Sequence, residues 1–260
     1  MDRRAFLAMT GTTAAMLGGI EASAQDDAAG GGRDYYELKR YLLDTEEQRA
    51  GLDAFLAEAA LPALERHGFG PVGVFVDPDE ISPVYVLIRH KSLDTLTQLL
   101  HILGGDAEFM EKGTAFLNAP AKTPAYARME SSLLYAFSGM PQMARPTDVP
   151  GRVFQLRIYE SPTVLTGQTK IEMFNSAEIA IFHKCGMTPV FFGEAIVGDK
   201  LPNLTYMLGF ESRDAQNAAW KTFVQDPDWK ELSARPEYAN DKIISHITNL
   251  NLVPTAYSQI

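Results

Sequence analysis

Two periodicities of apolar residues along the chain predict its secondary structure. Positions 35–41 show the two-residue alternation and the richness in aromatic residues that are typical of a strand. Apolar residues then recur every three or four positions from Leu52 to Leu64, which predicts a helix that ends just before Gly68. Pro62 lies inside this helix and is expected to kink it.

Three further strands and a second helix complete the predicted unit. Two short apolar strands, Val72–Val76 and Val84–Arg89, flank the polar turn Asp77-Pro78-Asp79. A helical region begins over 93–103, and a last strand covers 132–137. The order β-α-β-β-α-β is the ferredoxin-like motif, an α+β unit whose four-stranded antiparallel sheet carries both helices on one face.

The same order of elements returns about 118 residues later, which indicates an internal repeat. Three matched pairs of segments support it: 36–41 with 154–159, 67–72 with 185–190, and 84–87 with 205–208. Each copy leaves one sheet face without a cover, so the two tandem ferredoxin-like repeats are expected to pack together as an intrachain dimeric α/β barrel.

The predicted domain organisation follows from the repeat and from two segments of linker composition. Gly139–Gly151 contains three prolines and is predicted to be stiff and extended. The predicted segments are a signal peptide (1–24), a flexible linker (25–32), a first domain (33–138), the proline-rich linker (139–151) and a second domain (152–260).

The N-terminal segment is typical of a twin-arginine export signal, with a basic start, an apolar run and a small-x-small cleavage site. The apolar run spans only 16 residues, which is too short for a stable membrane span. No membrane span is expected to remain after the signal is cleaved. The sequence therefore predicts an exported, periplasmic protein, with an uncleaved N-terminal anchor as the alternative. The signal residues are Arg3, Arg4, Phe6, Leu7, Ala22 and Ala24.

Charge and cysteine content exclude several classes of function. The formal net charge of −10 argues against a nucleic-acid partner. A single cysteine, Cys185, excludes an intrachain disulfide and a zinc finger, and we expect it to be a small core residue.

Three segments resemble the NIPSNAP family: the strand 36–41, the helix end 61–69 and the motif Asp226-Pro227-Asp228-Trp229. The resemblance covers about residues 33–137 and 152–254. It implies dimeric α/β-barrel domains, a fold shared by cofactor-free oxygenases, isomerases, dehydratases and haem-binding enzymes. The first copy departs from the family pattern where Asn118-Ala119-Pro120-Ala121 replaces the tryptophan motif.

Polar residues on the first strand of each copy are the candidate ligand site. If Leu38 and Leu156 point to the helices, these polar residues face the barrel interior. Two interpretations remain open: the groups satisfy one another, or they line a pocket in which Lys39 or Arg157 holds an anionic group and a tyrosine donates a hydrogen bond. The candidate residues are Glu37, Lys39, Tyr41, Gln155, Arg157, Tyr159 and, beside Glu178 and Glu194, His183.

The remaining histidines and aromatic residues favour structural roles. His67 is expected to cap a helix, and His90, His101 and His246 to lie at the surface or at strand ends. Trp220, Phe223 and Trp229 are expected to form a core stripe. No metal site and no cofactor are predicted.

The function that these features favour is binding, and the sequence leaves open whether the protein is an enzyme. We expect a small-molecule ligand, a protein partner or a homo-oligomer. The alternative is a cofactor-independent enzyme of the oxygenase, isomerase or dehydratase type that uses a pocket between sheet and helices. Haem binding is a second alternative, which a Soret band would reveal.

Overall fold

A computed structural model describes residues 32–260 of the chain. The predicted signal peptide, with Arg3, Arg4, Phe6, Leu7, Ala22 and Ala24, lies outside the described residues, as does most of the predicted linker that follows it.

Strands and helices alternate in both halves of the described chain. The strands are β1 (Tyr35–Leu42), β2 (Gly73–Val76), β3 (Val84–His90), β4 (Arg128–Ala136), β5 (Val153–Glu160), β6 (Thr188–Val197), β7 (Asn203–Phe210) and β8 (His246–Pro254). The helices of the first half are α1 (Glu46–Phe55), α2 (Leu61–Arg66), α3 (Leu93–Gly104), α4 (Ala107–Lys112) and α5 (Thr114–Leu117). Those of the second half are α6 (Val164–Met173), α7 (Ile179–Lys184), α8 (Arg213–Gln225), α9 (Pro227–Ser233) and α10 (Asn240–Ile243).

The eight strands close into one antiparallel barrel in the order β1-β3-β2-β8-β5-β7-β6-β4. Two seams join the halves: β2 pairs with β8, and β4 pairs with β6. Closure leaves no free sheet edge, and both halves contribute to one interior. The prediction of an α+β chain that forms a barrel is confirmed.

The core of the barrel interior is apolar, and the first strands have the opposite orientation to the expected one. Leu38 and Leu156 point inward, where they pack with Phe75, Phe154 and Met207. Because side chains alternate along a strand, the neighbouring polar residues of β1 and β5 point outward, under the helices. The expectation that those polar residues face the barrel interior is wrong.

The long helix after the first strand has the same local form in both halves. A π-turn, Leu56–Ala60, joins α1 to α2, and Phe174–Glu178 joins α6 to α7. Pro62 is the second residue after the first π-turn, but the second half has the same turn without a proline at that place. Gly68 and Gly186 both end their helices at φ +79°, a left-handed conformation that glycine adopts without strain.

The strand register corrects one of the matched segments. Lys39 pairs with Val86 in the first half, and the residue at the position of Lys39 in β5, Arg157, pairs with Tyr206. Val86 therefore corresponds to Tyr206, and the match of Tyr85 with Tyr206 is wrong by one residue. A shift of one residue moves a side chain to the other sheet face, so Tyr85 lies in the barrel and Tyr206 under the helices.

A second correction concerns the motif that ends in Trp229. Asp226 caps α9 by accepting hydrogen bonds from the backbone N–H groups of Asp228 and Trp229, and it pairs with Lys184 at 2.8 Å. Asp106 caps α4 in the same way and pairs with Arg66 at 2.9 Å. The first half thus has this cap at Asp106-Ala107-Glu108-Phe109, and its assignment to Asn118–Ala121 is wrong.

Candidate functional site

A cavity of about 660 Å³ lies in the first half, between the outer face of the sheet and the helices. Its volume is in the range of small-molecule sites, about 300–1,000 Å³. Most of its wall is hydrocarbon, and its mouth is bordered by the partly exposed side chains of Leu100, Leu117, Met129 and Val197. The polar side chains in its lining are those of Glu37, Lys39, Tyr41, Tyr126 and Ser131.

Glu37 lies at the centre of the polar end of this cavity. Its Oε1 accepts hydrogen bonds from Lys39 Nζ at 2.5 Å and from Ser131 Oγ at 2.9 Å. Its Oε2 lies 3.5 Å from Nε2 of His90, at the long limit of a hydrogen bond. The side chain of Glu37 is 9% exposed and that of Lys39 is 17% exposed, so this is a largely buried ion pair at the cavity wall.

The surroundings of Glu37 keep its carboxylate ionised. Burial by itself would raise the pKa of Glu37, but the polar contact with His90, the charge of Lys39 and the hydroxyl of Ser131 outweigh it and lower the pKa to about 2. Ionised at physiological pH, Glu37 holds the Lys39 ammonium in place, so the ammonium is a hydrogen-bond donor at a defined position in the cavity.

His90 lies at a strand end, one of its two expected places, but its side chain is fully buried and so does not lie at the surface. It ends β3, packs edge-on against Phe69, and neither ring nitrogen has a hydrogen-bond partner at normal distance within the described structure. Strand parity could have indicated its position, since Val86 and Ile88 precede it at intervals of two and line the cavity. Histidine at a strand end carried no hydrophobic signal, so the sequence pattern missed it.

Tyr41 forms an aromatic wall of the cavity. Its ring packs edge-on against Phe116 and Tyr126, and Phe116 stacks on Phe55 at a centroid distance of 4.1 Å. Burial raises the pKa of Tyr41, and Tyr126 and Glu37 reinforce the shift. The Tyr41 hydroxyl therefore stays protonated, and it can donate a hydrogen bond at any physiological pH.

The corresponding polar residues of the second half are covered by a tryptophan. Trp220 donates a hydrogen bond from Nε1 to Gln155 at 2.7 Å, and the Arg157 guanidinium lies over the Trp220 ring at 4.7 Å. Arg157 also donates to the Tyr159 hydroxyl at 2.8 Å. These groups contact one another, as in the first of the two interpretations of the sequence, although Nε of Arg157 has no hydrogen-bond partner among the described residues.

Larger side chains explain why the second half is closed. The helices α3 and α8 start from serine caps 120 residues apart, Ser92 and Ser212, so the exposed Leu100 corresponds to Trp220. On the sheet, the small Val86 corresponds to Tyr206, whose hydroxyl donates to Tyr159 at 3.1 Å. Aromatic rings therefore occupy the second half where the first half has aliphatic side chains and open space.

A buried ion pair adds to the filling of the second half. Lys170 Nζ lies 2.8 Å from Glu178 Oε2, and both side chains are at most 3% exposed. The positions that correspond to them in the first half, at the same places relative to the π-turn, are Leu52 and Ala60. The two halves thus share a backbone plan and differ in what lies between sheet and helices.

The predicted residue His183 does not join either group. It lies on α7 with an exposed side chain, while Glu178 pairs with Lys170 and Glu194 accepts from Gln168. His67 lies in the expected cap, with Nε2 3.0 Å from Asp106. His101 is exposed, and His246 is the first residue of β8, as expected.

The cysteine and the aromatic residues that are expected in the core lie in or against the core of the second half. Cys185 is buried in the second-half core with Phe223, and Trp220 and Trp229 pack against that core. Within residues 32–260 no three histidine, cysteine or acidic side chains lie close enough together to bind a metal ion. No histidine is among the residues that line the cavity.

Fold and site together define the class: an antiparallel α+β barrel with an apolar interior and a ligand-sized cavity under the helices of one half. Residues 154–259, in the second half of the chain, match the NIPSNAP family model. No helix among the described residues is long and apolar enough to cross a bilayer.

Two solved structures of low sequence identity share the fold over most of the chain. A candidate monooxygenase from Lactobacillus acidophilus NCFM aligns at a TM-score of 0.58 and 14% identity, over 85% of this chain and 94% of that one. An anthrone oxidase-like protein aligns at a TM-score of 0.52 and 9% identity, over 86% of this chain and 92% of its own. A NIPSNAP family protein from Agrobacterium tumefaciens str. C58 is 20% identical over 41% of this chain and 96% of its own, with a TM-score of 0.37. No curated protein matches this sequence.

Proposed function

We propose that the protein binds a small apolar molecule in the cavity of its first half. The observation that carries this proposal is a difference between the two halves, which share the same arrangement of strands and helices but differ in what fills the space between sheet and helices. Trp220 and Tyr206 close the layer of the second half, whereas Leu100 and Val86 leave about 660 Å³ open in the first. A packed core has few voids larger than a water molecule, so an opening of this size indicates a binding site.

The proposal includes an origin for this difference. The two halves are two ferredoxin-like copies of one β-α-β-β-α-β unit, of which the first serves binding and the second serves stability. The common glycine caps, π-turns and acidic helix caps support this view. Export by the twin-arginine route would place binding in the periplasm, which fractionation of cells that express the full chain would test.

The experiment is a titration with N-phenyl-1-naphthylamine, a neutral probe whose fluorescence rises in apolar surroundings. The wild type is expected to bind it at one site per chain. The variant Val86→Tyr/Leu100→Trp transfers the second-half residues into the first half, and we expect it to lose about tenfold or more in affinity, which is about 1.4 kcal/mol.

The matched control is Leu165→Trp, which adds the same ring at a position of α6 that is 79% exposed. It should leave probe affinity unchanged, and circular dichroism should show that both variants are folded. If the wild type binds no probe, or if the transferred residues leave its affinity unchanged, ligand binding in this cavity is excluded. The exposed apolar mouth would then favour the alternative of a protein partner.

A second candidate function is a cofactor-independent oxygenase, the enzyme type that the sequence analysis left open. The observation that favours it is the cavity itself, in which the Tyr41 hydroxyl and the Lys39 ammonium face the same space in a fold shared with a candidate monooxygenase. Anthrone is the probe substrate: one O₂ converts it to anthraquinone and water, which oxygen uptake and absorbance would show. An uptake rate equal to that of Val86→Tyr/Leu100→Trp would exclude this candidate.

A further inference from the structure

The charges in the cavity wall balance each other. Among the described residues that line the cavity, Glu37 and Lys39 are the charged ones, one anion and one cation. They are bonded to each other, and the residues at the mouth are hydrocarbon. The cavity therefore offers a ligand no unbalanced charge at either end.

Lys39 nevertheless remains available as a hydrogen-bond donor. An ammonium group has three N–H donors, and in the described structure the hydrogen bond recorded for Lys39 is the one to Glu37. Glu37 is less available, because its Oε1 already accepts two hydrogen bonds and its Oε2 is buried toward His90. The polar end of the cavity thus presents donors to a ligand oxygen and keeps the carboxylate behind them.

Resting on the proposed function, we propose that this site selects uncharged ligands: an apolar body that carries one neutral oxygen, as in an alcohol, a ketone or a phenol. The oxygen accepts a hydrogen bond from Lys39, and the body fills the hydrocarbon part of the cavity. A carboxylate would add a third charge beside a pair that is already neutral, and it would lose its hydration without gaining an unpaired cation. This replaces the expectation that Lys39 holds an anionic group.

The test compares two competitors of equal chain length, 1-decanol and decanoate, which displace N-phenyl-1-naphthylamine from the folded protein at pH 8. Wild type should prefer decanol. Any apolar pocket would show some of that preference, so the proposal is decided by how the preference changes in variants of the ion pair. Glu37→Gln keeps the shape of the side chain but leaves Lys39 unbalanced, and decanoate should then bind about tenfold better or more, while decanol changes by less than about threefold.

Lys39→Met changes the balance in the opposite direction, because it leaves Glu37 as an unpaired anion. Decanoate should bind about tenfold more weakly than to wild type. The matched control is Glu58→Gln, which makes the same change of charge at an exposed residue of the neighbouring groove and should alter neither competitor. Either Glu37→Gln or Lys39→Met is sufficient if the other does not fold.

The outcomes separate this inference from the proposed function. Wild type that binds the probe but takes decanoate as well as decanol overturns the selection of uncharged ligands and leaves the binding site intact. Variants that bind both competitors as wild type does overturn it as well, because the ion pair then sets no preference. Absence of probe binding to wild type overturns the proposed function and this inference together.

Discussion

At the scale of single residues, Glu37 links stability to pH. Its pKa of about 2 in the folded protein lies below the value of 4.5 that is usual for glutamate. A lowered folded-state pKa contributes stability that is present above the unfolded pKa and is lost as the pH falls through the folded pKa. Glu37 should therefore stabilise the protein at pH 7 and lose this contribution progressively below about pH 4.5.

The variant Glu37→Gln isolates this contribution, because glutamine does not titrate. We expect the difference in free energy of unfolding between wild type and variant to shrink by about 1 kcal/mol between pH 7 and pH 3.5. Urea unfolding at both pH values measures it. A difference that stays constant would show that the folded protein does not favour the ionised form of Glu37.

At the scale of elements, the sequence pattern predicted the strands and helices well and their faces poorly. Alternation in β1 defines two faces, and both are acceptable for a barrel, because Leu38 on one face and Tyr41 on the other are each buried. Which face of β1 points into the barrel depends on the pairing of β2 with β8 and of β4 with β6, strands that lie far apart in sequence. Local periodicity contains no information about such seams.

The two mistaken matches have a common physical origin. Tyr85 and Tyr206 were paired by residue type, although register fixes the sheet face and type does not. The pattern misses the cap Asp106–Phe109 because its aromatic residue is phenylalanine, whereas a cap requires only a side-chain oxygen acceptor at its first position, here that of Asp106. The cavity exists because small residues such as Val86 leave space under the helices. The sequence does not reveal this, because the effect of Val86 becomes clear only when the register shows that the larger Tyr206 occupies the corresponding position.

The buried pair on the second-half helix yields a prediction for that element. Glu178→Ala leaves Lys170 as a buried charge without its partner, and we expect it to cost about 3–5 kcal/mol. Adding Lys170→Leu copies the first-half residues Leu52 and Ala60, removes the stranded charge, and should recover most of that loss. Chemical unfolding of the single and double variants measures both values.

The control for this pair is Glu108→Ala, which breaks two exposed ion pairs, with Lys112 and with Arg66, and should cost less than about 1 kcal/mol. If the double variant were no more stable than Glu178→Ala, the loss would come from the cavity left by Glu178 and not from the stranded lysine.

At the scale of the whole molecule, the barrel interior couples the halves. Its cluster contains Leu38 and Phe75 from the first half together with Phe154 and Met207 from the second. Ile260 lies fully buried in the same cluster, and its carbonyl accepts a hydrogen bond from Arg152. Neither half can lose its sheet without exposing the apolar interior of the other.

Unfolding should therefore occur in one transition, although the sequence predicted domains at 33–138 and 152–260. Both tryptophans of the chain, Trp220 and Trp229, lie in the second half, so their fluorescence follows that half, while far-UV circular dichroism follows both. We expect the two thermal unfolding curves to coincide.

Ile260→Ala tests the coupling directly, because a smaller side chain in the shared interior should cost about 2–4 kcal/mol and lower both midpoints equally. The exposed Val224→Ala should move neither midpoint. A fluorescence transition at a temperature different from that of the circular dichroism would mean that the halves unfold separately. The closed barrel would then not be the unit of stability, and the open cavity of the first half would have to be supported by that half alone.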